Sequence, residues 1–331
     1  MRKGSLSISR RTAVQSMLGL AAAYSAGVHA QRYPERVITF VVQAAPGGSS
    51  DLTARVMAEK LSQSLGVSVV VMNDPRAAGA LAVRRVVSAP ADGYTMLMLG
   101  TKSAIAESLG KSGSYDLLKD LSTVAVISSG ELAIVTDEKS PYADLGALVR
   151  TIRAQPGKLT IGVGDVNGGI QHLGAELFKK AIQGDFVIVP YVTSAALSTA
   201  VRGGQIDAAF ELLPPVMSQI KSKAIKALAI TGRQRYPDIP GVPTIAEAGF
   251  PNCEVVTNSF IAVPAQTPAA IVERLNAEIN QALRQSDLQA RSKARGSGVP
   301  EPATPAQSSK LLANEIAKWR EIVQSANVRI E

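Results

Sequence analysis

Residues 37–61 read VITFVVQAAPGGSSDLTARVMAEKL, and the change of period inside that stretch decides the fold. Residues 37–42 form an unbroken apolar, β-branched run, the pattern of a strand covered on both faces. Beyond the Pro46-Gly47-Gly48 turn, Ala54, Met57, Ala58, Leu61 and Leu65 share one helical face, with Arg55, Glu59 and Ser62 off it. The same alternation repeats outward. Strand-like runs occupy residues 67–71 and 95–99, and Ala82, Val83, Val86 and Val87 make a helical stripe between them, ahead of a turn at residues 90–93. A βαβαβ succession with right-handed crossovers closes into a parallel sheet.

A second series follows, with strands expected at residues 132–136, 159–163, 186–189, 206–210 and 225–230. Its helices are expected at 145–154, 171–182, 195–202 and 216–221. A further strand at 255–263 leads to an amphipathic helix at 268–285, where Pro268 sits at a helix start that has no partner for an N–H. A Gly/Pro-rich connector at 296–305 then precedes a last helix at 306–326, with Leu311, Leu312, Ile316, Trp319 and Val323 as its apolar residues. Two α/β series predict two similar lobes.

The amino terminus points to export. Arg2, Lys3, Arg10 and Arg11 form a basic region ahead of the apolar or small residues 13–28, and Val28-His29-Ala30 suits a signal peptidase. Residues 1–30 are therefore read as a signal peptide cleaved after Ala30, with ordinary secretion favoured over the twin-arginine route that Ser9-Arg10-Arg11 resembles. The stretch is too short to anchor in a membrane, and no cysteine follows the cleavage site to take a lipid. The chain holds 35 basic and 27 acidic residues. Four basic residues leave with the leader, so 31 remain against 27, a balance of +4 without long runs. That distribution, with aromatics at 4%, argues against a nucleic-acid partner. Cys253 is the only cysteine, so the exported chain folds without an internal disulfide.

Ligands of open α/β sheets sit beyond the carboxyl ends of strands, where helix N-termini present unpaired N–H groups. Residues 44–50 occupy that position after the first strand, and residues 162–169, GVGDVNGG, do so in the second series. Neither turn carries the lysine of a phosphate-binding loop or a dinucleotide G-x-G-x-x-G in context. After export His172 is the sole histidine, which excludes a multi-histidine zinc site, and no G-x-S-x-G elbow offers a nucleophile. Asp51, at a helix start, reads as a cap or dipole partner. No cofactor and no metal are expected.

The order of motifs carries more than any one of them. YPERVITFVVQAAPGGSSDLTAR, VVVMNDPRAAGA, ADGYTMLMLGT, PGKLTIGVG, QHLGAELF, VPYVTSAA, GGQIDAAF, IPGVPTIAEAGFP and VPAQTPAAIVERLNAEIN follow one another. In this order the chain resembles the Bug-type periplasmic solute receptors of tripartite tricarboxylate transporters, over nearly its full mature length. The resemblance implies a two-lobed, type II-like periplasmic binding protein of α/β class. Each lobe would be a mainly parallel sheet flanked by helices, with the ligand in the cleft between them. Residues 31–131 plus 255–331 would form lobe one and residues 132–254 lobe two. It implies a non-enzymatic receptor for a small carboxylate, partnered by membrane permease components or by a sensor kinase, and not itself membrane-embedded. An α/β enzyme is the remaining alternative.

The resemblance places ligand contacts at Ala45, Pro46, Gly47, Gly48, Ser49, Ser50, Asn73 and Thr101. In the second lobe it places them at Gly164, Asp165, Asn167, Gly168, Tyr191, Thr193, Ser194 and Asp207. Several positions depart from the family pattern. Pro75-Arg76-Ala77-Ala78-Gly79 stands where Pro-Gly-Ala-Gly-Gly is usual, Val192-Thr193 replaces Lys-Gly, and Asn258-Ser259 falls where an aromatic pair is frequent. The loop at 162–172 is one residue longer and introduces Asp165. One reading follows: Asp165, with Asp207 or Glu211, meets an ammonium while the first loop and Lys102 hold carboxylates. The competing reading makes Asp165 a helix cap and Lys102 a solvated side chain.

Overall fold

In the computed structural model, β1 (Ile38–Val42) feeds two cores at once. Ile38, Phe40 and Val42 pack on one face of their sheet and Val41 on the other. This is why its apolar run needs no polar alternation. The structure describes residues 33–110, 115–164 and 169–326; the expected signal peptide and the candidates Asp165, Asn167 and Gly168 lie outside them. α1 (Ser49–Leu65) buries Ala54, Met57, Ala58, Leu61 and Leu65 as the periodicity predicts, and stops at Gly66, whose φ of 72° is the left-handed cap glycine tolerates.

β2 (Val69–Asn73), α2 (Ala80–Val87) and β3 (Thr95–Gly100) complete the first unit, with β1 parallel to both β2 and β3. α3 (Thr101–Ser108) and α4 (Leu117–Asp120) lead to β4 (Leu121–Asp137), a strand of 17 residues. The second unit comprises α5 (Leu145–Ala154), β5 (Thr160–Val163), α6 (Ile170–Ala181), β6 (Val187–Pro190), α7 (Ser194–Arg202), β7 (Ala208–Leu212), α8 (Leu213–Lys221) and β8 (Ile225–Ile230). β5 lies parallel between β6 and β7. β9 (Val256–Pro264), α9 (Ala269–Leu283), α10 (Ser286–Ala294) and α11 (Pro305–Ala326) close the chain.

The expected parallel sheets are present as β2-β1-β3 and β6-β5-β7, and antiparallel strands extend and join them. β9 pairs antiparallel with β3 and with β4, and β4 pairs antiparallel with β7 and β8. The strand order is β2-β1-β3-β9-β4-β7-β5-β6, with β8 also on β4. β4 is the common member: from Leu121 to Glu131 it follows β9, and from Leu132 it follows β7. Register shifts at 123–125 and 126–128 mark irregularities in its first half, as bulges do where a sheet bends.

α11 returns to pack on α3 and β4 and on α6 of the second unit. Leu312, Ile316 and Trp319 are buried in the larger core, whereas Leu311 is 38% exposed. Burying side chains of this size is worth about 1.5–3 kcal/mol each, so the last helix is a structural part of the core to which both units contribute.

Candidate ligand-binding site

A cavity of about 420 Å³ opens at the carboxyl ends of β1 and β3 and reaches across to the second unit. Ala45, Ser49, Ser50 and Thr101 line it, as the sequence reading expected, and Lys102 joins them. The far wall is made by Ile170 at the start of α6 and by Leu212 and Pro214 around the start of α8. Residues 128–130 of β4 and 257–259 of β9 supply the floor.

The cavity is rich in hydroxyl and amide groups and poor in charge. Lys102 is the only charged side chain among its described lining residues. Three helices, α1, α3 and α6, begin at this wall with glycine in the N-cap position, at Gly48, Gly100 and Gly169. At Gly48 and Gly100 the cap residue itself brings no side chain to the helix start. By contrast, Asp144 caps α5 and Thr193 caps α7 with their own oxygens, away from the cavity. α8 also starts here, but Pro214 and Pro215 have no amide to offer. Uncapped N-termini carry partial positive charge and free N–H groups, which suit an anion.

The first loop is braced from behind rather than by the cavity. Gly47, at φ 82°, donates its amide to Asp51 Oδ2 at 2.9 Å. The Asp51 carboxylate also accepts from Arg55 Nε at 2.9 Å and Asn73 Nδ2 at 2.9 Å. Asn73 Nδ2 reaches the Ala44 carbonyl at 3.0 Å as well. The Arg55 guanidinium, ahead of the other donors, holds the Asp51 carboxyl below its usual range. Asn73 therefore shapes the loop without lining the cavity, and Pro46, Gly47 and Gly48 are likewise outside its lining. Ala77 and Ala78 take positive φ values of 51° and 55°, so alanines here hold a backbone shape that glycine adopts more readily. Ala78 lines the cavity, where its methyl group occupies space.

The second-unit candidates scatter. Gly164 packs behind the cavity: a Cβ there would lie 2.7 Å from both Gln171 Nε2 and Glu211 Oε2. Glu211 is fully buried and accepts from Gln171 Nε2 at 2.5 Å and from the Leu212 amide at 2.7 Å. Tyr191, Thr193 and Ser194 do not line the cavity; the Thr193 hydroxyl accepts from Ala196 N at 3.2 Å, and neighbouring Val192 is 90% exposed. Asp207 sits at the amino end of β7, the opposite end of the sheet. There its carboxylate accepts from Thr160 N at 2.8 Å, Thr160 Oγ1 at 3.0 Å and Tyr142 OH at 3.2 Å. Ligands sit at carboxyl ends, so this position braces β5 against β7. His172 is buried, which pushes its pKa down, and lies 3.8 Å from Glu176.

Sequence reading did not find Gln43, Ser128, Ser129, Thr257, Ser297 or Glu315. Glu315 of α11 is 7% exposed and accepts a short hydrogen bond from the Thr101 hydroxyl and one from Asn258 Nδ2 at 3.1 Å. Among the described residues no cluster of three or more His, Cys, Asp or Glu side chains is arranged to hold a metal, and no helix is long and apolar enough to cross a membrane.

Residues 53–328 match the family described as the tripartite tricarboxylate transporter family receptor. Protein BugT of Bordetella pertussis is 34% identical over 98% of this chain and 100% of its own length. The solved structure of the periplasmic binding protein BugD superposes with a TM-score of 0.74 at 27% identity, covering 90% of this chain and 100% of that one. MatC from Rhodopseudomonas palustris, solved with bound malate, gives 0.73 at 28% identity, covering 88% and 100%.

Proposed function

Since the chain belongs to the tripartite tricarboxylate transporter family of solute-binding receptors, we propose that it captures a small carboxylate between its two units and delivers it to the membrane permease components of such a transporter. The observation that carries this reading is the cavity wall. The starts of α1 and α3, each with a glycine cap, and Lys102 face a space with no acidic side chain among its described lining residues. Each N-terminus is worth about 0.3–1 kcal/mol toward an anion, and hydroxyls add neutral donors that release the ligand again. The malate bound by MatC is a small carboxylate of this kind.

The receptor acts in the periplasm after removal of residues 1–30. Its lobes divide at residues 131 and 132, where β4 changes partner, and again near 255. Binding with no chemical change to the ligand is its activity.

The test is a thermal-shift panel of dicarboxylates, tricarboxylates, acidic amino acids and aromatic carboxylates on protein unfolded and refolded to remove carried-over ligand. A true ligand at 100 times its Kd stabilises by about 2.7 kcal/mol. If no carboxylate raises the melting temperature, the reading fails.

A further inference from the structure

We infer that Glu315, from behind the cavity, holds Thr101 and Asn258 as hydrogen-bond acceptors toward it, so that the carboxylate taken also carries a hydroxyl or ammonium donor. This rests on the receptor reading above and narrows its ligand class. The geometry is a relay from the last helix to the cavity. Glu315 Oε1 accepts from the Thr101 hydroxyl and, at 3.5 Å, from Trp319 Nε1. Oε2 accepts from Asn258 Nδ2 at 3.1 Å, and Thr101 Oγ1 in turn accepts from the Asn258 backbone N–H at 3.0 Å.

A hydroxyl has one proton to give. The Thr101 proton is given to Glu315, so toward the cavity Thr101 offers a lone pair. Asn258 turns its amide nitrogen to Glu315, and its Oδ1 has no hydrogen-bond partner among the described residues. The opposite orientation would set Oδ1 against a carboxylate oxygen. Both residues line the cavity.

The cavity thus sets donors, the starts of α1 and α3 and Lys102, beside an acceptor pair, Thr101 Oγ1 and Asn258 Oδ1, that Glu315 fixes from behind. An unsubstituted acid brings only acceptors and leaves that pair without a donor. A hydroxy or amino acid satisfies both. Three donors converge on Glu315 and Lys318 lies on its own helix, against the burial that pushes its carboxyl up. On its other side Glu315 lines a second cavity, of about 410 Å³, that Glu131, Arg233 and Glu254 border.

Calorimetric titration of stripped protein with matched trios tests this: succinate, L-malate and L-aspartate; adipate, 2-hydroxyadipate and 2-aminoadipate; phenylacetate, mandelate and phenylglycine. In the trio that binds, a donor-bearing member is expected to bind about tenfold tighter than the unsubstituted acid, the effect of one buried hydrogen bond. The hydroxyl and amino members separate the two donor types. Glu315→Gln replaces one of its two acceptors by a donor, so that either the Thr101 proton or the Asn258 amide nitrogen turns toward the cavity, and the preference is expected to fall to about threefold or less. If that variant does not refold, Thr101→Val, which removes the acceptor, is expected to lower the same ratio. An unsubstituted acid that binds as tightly as its donor-bearing partners overturns the inference, and so does a variant that weakens all three members equally. If no member of any trio binds while other carboxylates in the wider panel do, this inference fails alone. If none of those bind either, the receptor reading fails with it.

Discussion

Replacing Glu131 by Gln is expected to stabilise the protein above neutral pH and to leave it unchanged in acid. Glu131 is the last β4 residue paired with β9, opposite Val256. Its carboxylate lies against the backbone of Gly232, and Oε2 finds no hydrogen-bond partner among the described residues. Burial without a compensating cation pushes its pKa from an ordinary 4.5 up to about 7. The folded protein therefore holds a proton between pH 4.5 and 7 that the unfolded chain has released. Its stability contribution is fully present below 4.5 and is lost as pH rises through 7. At about 1.4 kcal/mol per pH unit, the interval amounts to about 3 kcal/mol. Gln keeps the shape and removes the ionisation, so its advantage should approach that figure at pH 8 and vanish at pH 4. Guanidinium unfolding of both proteins at pH 4, 6 and 8 measures it. A difference between them that is the same at all three pH values would refute the reasoning, whatever its size, because any unpaired amide in the variant costs the same throughout.

Three further outcomes follow from the site. Lys102→Met should weaken dicarboxylates about fivefold, the effect of a partly exposed ion pair, and monocarboxylates much less; equal losses in calorimetry would place Lys102 outside the ligand's reach. Ala78→Gly should raise stability by up to about 1 kcal/mol, since relief of a left-handed alanine exceeds the entropy glycine adds to the unfolded chain. A lower urea midpoint would contradict that account. Asp207→Ala should cost about 2 kcal/mol by removing acceptors from Thr160 and Tyr142 while altering Kd less than twofold. A large loss of affinity in a folded variant would return Asp207 to the site.

The first strand-turn-helix was legible because its period changes from a continuous apolar run to a helical stripe, and both halves bury the side chains that pattern selects. The first half of β4 was not. Ser122, Thr123, Ser128, Ser129 and Gly130 interrupt the apolar pattern, and the strand is held by pairing to β9, far away in sequence. Asp207 shows where resemblance and physics part. It precedes β7, whereas the cavity lies after the strand ends, a distinction the strand direction alone supplies. Glu315 carries no local signal at all: within α11 it reads as an ordinary helical glutamate, and only packing brings it to Thr101.

The pairing of β3 with β9 also sets an order of assembly. Leu97 cannot meet Ala262, nor Leu121 meet Pro264, until most of the chain has been made. Until then the first sheet has an open edge at β3, and closing it requires joining two distant segments, with the loop-closure entropy that this entails. β5, β6 and β7 have no such wait, because their partners are near in sequence. The middle of the chain is thus able to fold before its two ends do.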